Sequence, residues 1–260
     1  MRRSSFRRMA EVTGPEINRQ MRRIAPVLLG GAFLTFLAGL FLIYVHYRTD
    51  VNPLVLLVDP NAESGLPPYT GVYSNVGILM WWSAATVCIL CGALLWSKRT
   101  VTPVSRFLLV LGLYSAVLCL DDMFLLHEEV GLRLAQYLDM TDNPHARSVL
   151  EAPIVLAYTA LTTYVVLRFW PIIRDTDFLL LGASVGSLAA STGIDVAVHL
   201  FPGNVTRPVV ADIAEDLLKL NGIMLWLAYA ARTGCLRVRN RMNQASHNGG
   251  TRRTTAPCCH

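Results

Sequence analysis

The chain has 260 residues, of which 53% are hydrophobic and 16% are charged, and its mean hydropathy is +0.42. Soluble domains carry about 25% charged residues, so this composition excludes an ordinary soluble globular protein and requires that apolar surface face lipid. The net charge of +5 comes from basic tails that flank apolar stretches and contain one aromatic residue, Phe6, so we expect anionic membrane lipids and no nucleic acid as their partner.

Six stretches of the sequence are long enough and apolar enough to cross a bilayer, since a spanning helix needs about 20 mostly apolar residues. In chain order they are 24–45, 76–96, 107–126, 152–170, 178–200 and 213–230. The first stretch is too long for a signal peptide and lacks a cleavage site of small residues. The sequence therefore predicts an all-α fold, a polytopic membrane bundle of six transmembrane helices.

The basic residues predict which loops are cytoplasmic. Of the 23 Lys and Arg residues, 18 fall in the two tails and in the loops after the second and fourth stretches, and 5 fall elsewhere. The positive-inside rule then places both termini in the cytoplasm. We expect a basic tail at 1–23, a transmembrane domain at 24–232 and a disordered basic tail at 233–260. The preference for Arg over Lys is typical of GC-rich bacterial genomes, so we expect a bacterial inner membrane.

Small residues and cysteines within the predicted spans are typical of helix packing. Gly182 and Gly186 form a GxxxG pattern, which we interpret as a contact between two helices of the bundle. Cys88 and Cys91 form a CxxC pattern inside the second stretch, away from histidines and carboxylates. We therefore expect these two cysteines to pack as small apolar side chains.

Ionisable side chains gather at the predicted outer ends of three spans, although each costs about 2.5–3.5 kcal/mol inside a bilayer. Residues four or seven apart share one helix face, so each helix can point its polar groups towards a common cavity. We expect that cavity near the outer membrane surface. The groups are Asp121, Asp122 and His127 in the third stretch, Asp195 and His199 in the fifth, and Glu215 and Lys219 in the sixth.

Two imidazoles and several carboxylates with open positions suit a divalent metal, with zinc as the first choice, and a bound metal activates water near neutral pH. A neighbouring carboxylate can serve as the general base, and a lysine or a serine can stabilise developing negative charge. The predicted metal ligands are His127, Asp195 and His199, and the predicted catalytic residues are Asp121, Asp122, Glu215, Lys219 and Ser115.

Structural roles explain some of the same residues. Asp212 followed by Glu215 is typical of a capped helix N-terminus. Glu215 and Lys219, four residues apart, suit an ion pair on one helix face. Asp121 and Asp195, each inside an apolar stretch, suit hydrogen bonds between helices. These alternatives and the catalytic interpretation both remain open at the level of sequence.

Ser115, Asp122 and His127 in one predicted span, together with the Asp-x-x-x-His pattern of Asp195 and His199, resemble the alkaline ceramidase and progestin-receptor-like superfamily of membrane hydrolases. That superfamily holds zinc through three histidines, near a serine and an aspartate. The resemblance covers the layout of the last two thirds of the chain and implies zinc-dependent hydrolysis. The chain departs from the superfamily in its six predicted spans and in having Asp195 where the superfamily has a histidine.

Three functions fit these features. The leading hypothesis is a metal-dependent hydrolase of a lipid amide or ester at the outer leaflet, where the substrate has its polar head in water and its tail in lipid. The second is an ion- or proton-coupled transporter or channel-like subunit that uses the carboxylates as a relay. The third is a noncatalytic assembly or sensor subunit. The clustering of acidic groups at one depth favours the hydrolase, because a relay would need groups across the whole membrane.

Overall fold

The computed structural model describes residues 14–49, 52–57, 70–96, 102–140, 146–200 and 209–251. All the secondary structure in these ranges is helical, which confirms the all-α prediction. The elements are α1 (Gly14–Arg48), a short 3-10 helix (Pro53–Leu56), α2 (Val72–Leu95), α3 (Pro103–Phe124), α4 (Leu126–Tyr137), α5 (Ala146–Ile173), α6 (Phe178–Leu200) and α7 (Val209–Thr251).

Five of these helices are long enough and apolar enough to cross a membrane, so the chain is a helical membrane protein. The sixth predicted span, 213–230, lies in α7 and is helical, but α7 does not belong to this set because Glu215, Asp216 and Lys219 make that stretch more polar. The five qualifying segments, which coincide with the first five predicted spans, are Gly14–Arg48, Val72–Leu95, Pro103–Phe124, Leu150–Ile173 and Phe178–Ala197.

The described chain divides into two compact units, of which the first comprises Met1–Gly77 and Asp177–Trp226. In this unit α1 and the first half of α7 approach closely where α1 has glycines. A Cβ atom built on Gly39 would lie 3.2 Å from Leu217, and one built on Gly31 would lie 3.4 Å from Leu225. Close approach at small residues is the usual way in which helices pack in membranes. The two helices therefore run antiparallel along this part of their length.

A neutral hydrogen-bond network joins three helices of the first unit. The Thr35 hydroxyl on α1 donates to Asn221 Oδ1 on α7 over 3.3 Å, and Asn221 Nδ2 donates to Ser187 Oγ on α6 over 2.9 Å. The Ser184 hydroxyl adds a 2.7 Å bond to the Gly222 carbonyl. Such bonds contribute about 0.6–2 kcal/mol each in membrane proteins. They hold the polar side of α7 against its neighbours.

The second unit comprises Ile78–Thr176 and Leu227–His260, and α3 packs between α2 and α5 within it. The Ser105 hydroxyl at the start of α3 donates to the Gly92 carbonyl of α2 over 2.8 Å. Phe107 on α3 and Phe169 on α5 have ring centroids 5.4 Å apart. The fully buried side chain of Cys88 lies in this unit, and Cys91 is also buried. The prediction that this CxxC pair packs as small apolar residues is confirmed.

Helix α7 continues to Thr251, which differs from the disordered tail predicted from residue 233. Two arginines explain why the helix extends beyond the apolar stretch. Arg237 donates to the Asp175 carbonyl over 3.1 Å, and Arg241 donates to the Leu94 and Leu95 carbonyls at the end of α2. Cations at a helix C-terminus satisfy carbonyls that have no partner within the helix. The described part of the predicted tail is therefore an ordered helix.

The predicted role of Gly182 and Gly186 is wrong. No atom of the described residues, apart from helix α6's own backbone, comes within 4 Å of a Cβ built on either glycine, and both residues are exposed. The physical reason is that Ser184 and Ser187, on another face of α6, make the contacts with α7. The GxxxG pattern is thus not a contact between the helices that the structure describes.

Candidate functional site at the turn between two helices

The candidate site forms at a sharp turn where α3 ends and α4 begins. Leu125, the single residue between these helices, has φ 51° and ψ 40°, in the left-handed region. That conformation costs about 1–2 kcal/mol for a residue with a side chain. The Leu125 N–H donates to the Asp121 carbonyl, and the Leu125 carbonyl accepts from Glu129 N–H over 2.8 Å. The third predicted span, 107–126, therefore ends two residues early as a spanning helix.

The Asp121 side chain stabilises this turn through two bonds to one residue. Its Oδ1 accepts from the His127 backbone N–H over 3.1 Å, and its Oδ2 lies 2.8 Å from His127 Nδ1. The first amides of a helix have no partner within the helix. Leu125, at the N-cap position of α4, has no side-chain acceptor. Asp121 supplies that acceptor from the previous helix.

A tyrosine from α5 completes the cluster. The Tyr158 side chain is close enough to interact electrostatically with the Asp121 carboxylate. Hydrogen bonds join α3 and α5 beside it: the Tyr114 hydroxyl lies 2.5 Å from Thr162 Oγ1, and Thr162 donates to the Tyr158 carbonyl over 2.8 Å. We call Asp121, His127 and Tyr158 the Asp–His–Tyr cluster.

Within the cluster, the carboxylate is buried and the imidazole is more exposed. The Asp121 side chain is 9% exposed, whereas the His127 side chain is 26% exposed. With Nδ1 turned to the carboxylate, Nε2 is on the opposite edge of the ring. A carboxylate on one imidazole nitrogen fixes the tautomer and the orientation of the ring, both for a catalytic general base and for a metal ligand. The arrangement is chemically suited to proton transfer at Nε2.

The other predicted residues of the second unit lie on α3. Asp122 is half-buried beside Asp121. Ser115 is fully buried, and its hydroxyl donates over 2.8 Å to the Leu111 carbonyl of the same helix. Ser115 lies six residues before Asp121, which corresponds to about 9 Å along a helix. Of the predicted residues, the structure thus brings Asp121 and His127 together and leaves Ser115 deeper in the bundle.

The remaining predicted residues belong to the first unit. Asp195 on α6, and Glu215 and Lys219 on α7, are half-buried. His199 lies in the last turn of α6, and its side chain is outside the described residues. Within the ranges that the structure describes, no group of three or more His, Cys, Asp or Glu residues is placed to hold a metal ion. The predicted zinc site of His127, Asp195 and His199 stays a prediction.

Tyr158 is the member of the cluster that sequence analysis missed. It lies within an apolar span, where a tyrosine is unremarkable, and 31 residues of sequence separate it from His127. The pair Tyr158 and Thr162, four residues apart, marks a polar side of α5. That spacing alone does not identify Asp121 as the partner.

The comparisons with known proteins give one positive result. Residues 27–233 match a family model described as a domain of unknown function (DUF8692). No curated protein and no solved structure matches the chain. The match covers residues 27–48 of α1, the other four spanning segments and the Asp–His–Tyr cluster.

Proposed function

The chain belongs to the family described as a domain of unknown function (DUF8692), and we propose that it is a membrane-bound hydrolase in which His127, oriented by Asp121, is the general base. The observation that carries this proposal is the 2.8 Å contact between Asp121 Oδ2 and His127 Nδ1. It occurs at a strained turn at the end of a spanning helix. The proposed substrate is an ester or amide of a lipid.

The proposed chemistry uses the two edges of the His127 ring. With its proton on Nδ1 and donated to Asp121, the neutral imidazole accepts a proton from water at Nε2 while the water oxygen attacks the substrate carbonyl carbon. The protonated ring then gives that proton to the leaving oxygen or nitrogen as its bond to carbon breaks. General-base assistance of this kind contributes about 10²–10⁴ in rate.

The depth of the cluster supports a lipid substrate. Helix α3 has 22 residues, a length of about 33 Å, close to the thickness of a bilayer core. Asp121 lies in its last turn, where hydrocarbon meets the headgroups. Helix α4 has 12 residues and is too short to cross. The carbonyl groups of lipid esters and amides lie at the same level of a membrane as this turn.

We also propose six spans with both termini in the cytoplasm, which places the cluster on the outer side of the cell membrane. The antiparallel approach of α7 to the spanning helix α1 at Gly31 and Gly39 supports a crossing by α7. No residue from 211 to 234 is fully exposed, so the polar groups of α7 are at least partly buried in the protein. Arg237 and Arg241, on a helix end that we assign to the cytoplasm, agree with the positive-inside rule.

Zinc remains part of the proposal as a cofactor to be tested. His127 has the carboxylate partner that metal-bound histidines use to orient their rings. Metal content measured by elemental analysis on purified protein and on a His127→Ala, His199→Ala double variant tests this point. Stoichiometric metal that is lost in the double variant supports a zinc enzyme. If neither protein contains metal, His127 oriented by Asp121 acts as the general base without a metal.

The proposed function is tested by hydrolysis of p-nitrophenyl palmitate and of an N-acyl amide lipid by the protein in nanodiscs. We expect His127→Gln to lower turnover by about 10²–10⁴. The matched control is Glu129→Gln, two residues away, because Glu129 makes a 2.7 Å exposed ion pair with Arg133 outside the cluster. Equal turnover by wild type and His127→Gln would exclude the proposed base. Loss of turnover in both variants would show that substitutions on α4 disturb the helix itself and do not report on the base.

A further inference from the structure

Helix α4 presents three chemically different faces. Gly131 and Ala135 are buried, on the face that packs along α5. Glu129 and Arg133 form an exposed ion pair. The third face consists of Leu126, Val130 and Leu134, four residues apart and 44%, 42% and 39% exposed. We call these three residues the α4 stripe.

The apolar surface continues from α4 onto the end of α3. Met123 and Phe124, just before the turn, are 42% and 55% exposed. An exposed apolar face beside an exposed ion pair is typical of a helix at a membrane surface that keeps one side in the hydrocarbon. Because α4 follows a spanning helix after the single residue Leu125, it begins at the membrane boundary. An exposed apolar face at this boundary is placed to contact lipid.

The position of His127 relative to these faces decides how a substrate reaches it. At about 100° per residue, His127 points about 20° from Leu134 and about 60° from Val130 around the helix axis. The same geometry places Glu129 about 160° away. The imidazole thus lies between the α4 stripe and the face buried on α5. It points away from the ion pair, about 160° from Glu129 and about 120° from Arg133.

From this placement we infer that the substrate of His127 is a lipid that enters sideways from the bilayer, with its hydrocarbon chain lying along the α4 stripe. The inference rests on the proposed function and specifies the substrate class for the same site. A water-soluble substrate would approach past Glu129 and Arg133, on the side of α4 that does not carry the imidazole. A lipid in the leaflet meets the stripe and His127 together.

Two leucines of α4 provide a matched pair for the test. Leu134 belongs to the α4 stripe and Leu132 does not, yet their exposed fractions are 39% and 38%. They lie about 160° apart around the helix. The same substitution at the two positions therefore removes the same amount of exposed apolar surface from opposite sides of one helix.

The first experiment uses cross-linking, and no activity assay, to measure which side of α4 contacts lipid. The photoreactive residue p-benzoylphenylalanine is introduced at position 134, 132 or 129 of the full-length protein, in nanodiscs that contain alkyne-tagged phosphatidylglycerol. We expect cross-linking to the acyl chains several-fold stronger from position 134 than from 132 or 129. Equal cross-linking from the three positions, or cross-linking of two protein copies at 134 in place of lipid, would overturn the inference.

The second experiment tests the route of the substrate. With p-nitrophenyl palmitate at varied mole fraction in the nanodiscs, Leu134→Gln should raise the KM, expressed as surface mole fraction, by about tenfold, since it removes contact with one partly buried leucine. The kcat should stay unchanged, and Leu132→Gln should change neither constant. An equal KM for the two variants would contradict entry along the stripe. Failure of His127→Gln to affect turnover would instead overturn the proposed base, which the cross-linking does not test.

Discussion

Two polar clusters in this protein interrupt apolar helices, and they differ in what their groups can do. The network of Thr35, Ser187 and Asn221 in the first unit is neutral, and each of its two hydrogen bonds joins one helix to another. The Asp–His–Tyr cluster in the second unit contains an ionisable pair with one partner more open than the other. Neutral groups bonded between helices stabilise packing, because any charge would be costly there. An acid and an imidazole at a membrane boundary can exchange protons.

After the changes at Asp121 and His127 themselves, the largest effect that separates the two clusters is expected from Tyr158→Phe. This change removes the hydroxyl that interacts electrostatically with the Asp121 carboxylate and keeps the aromatic ring. Groups that orient a catalytic histidine through its partner typically contribute about 10–100-fold. We expect turnover in nanodiscs to fall by about that factor with thermal stability nearly unchanged. Tyr164→Phe, at an exposed tyrosine of the same helix, is the control, and an equal effect of both changes would remove Tyr158 from the site.

The next effect is expected in the neutral network. Asn221→Leu removes the bonds to Thr35 and Ser187, and two such bonds, at about 0.6–2 kcal/mol each, are worth about 1–4 kcal/mol in a membrane protein. We expect the free energy of unfolding to fall by that amount, and turnover of the folded protein to stay constant. Unfolding in mixed micelles and hydrolysis in nanodiscs measure the two quantities. If Asn221→Leu lost turnover but kept its full stability, the neutral network would have a catalytic role. The two clusters would then not differ in function.

The smallest effect concerns the turn that positions the cluster. Leu125 has a positive φ, a conformation that glycine adopts without strain and alanine does not. Leu125→Gly and Leu125→Ala lose the same contacts beyond Cβ, so their difference reports on the backbone. We expect the glycine variant to be more stable by about 1 kcal/mol. At a position with ordinary helical backbone angles, alanine is more stable than glycine. A more stable Leu125→Ala variant would therefore show that residue 125 leaves the left-handed conformation.

The sequence predicts the apolar helices well because each spanning segment is a local pattern of about 20 residues. It also identifies Asp121 and His127 as candidates. In a continuous helix, however, residues six apart would point about 120° away from each other. The left-handed turn at Leu125 brings them together, and no glycine, proline or asparagine marks that turn in the sequence. The contact of Tyr158 depends on packing between distant segments, which one sequence does not reveal.

The structure also changes the interpretation of the predicted site. Asp121 was expected among the catalytic carboxylates and His127 among the metal ligands, but the two form one hydrogen-bonded pair. In the proposed mechanism, Asp121 therefore acts on the histidine, and the histidine acts on the substrate. Asp195, His199, Glu215 and Lys219 lie in the other unit. Their convergence on the same cavity stays a prediction.

The central claim is that Asp121 orients His127 for chemistry and does not merely stabilise the turn, and Asp121→Asn tests it most directly. The asparagine oxygen can still accept the His127 backbone N–H, so the turn is kept. Its amide group would donate to Nδ1 and move the ring proton to Nε2, which can then no longer accept a proton from water.

The measurement combines ¹⁵N NMR of the His127 ring, thermal unfolding and hydrolysis on one nanodisc preparation of wild type and Asp121→Asn. We predict an unchanged Tm within a few degrees, a proton on Nε2 in place of Nδ1, and turnover lowered by about 10³. An Asp121→Asn variant that carries the Nε2 proton and hydrolyses the substrate at the wild-type rate would contradict the claim.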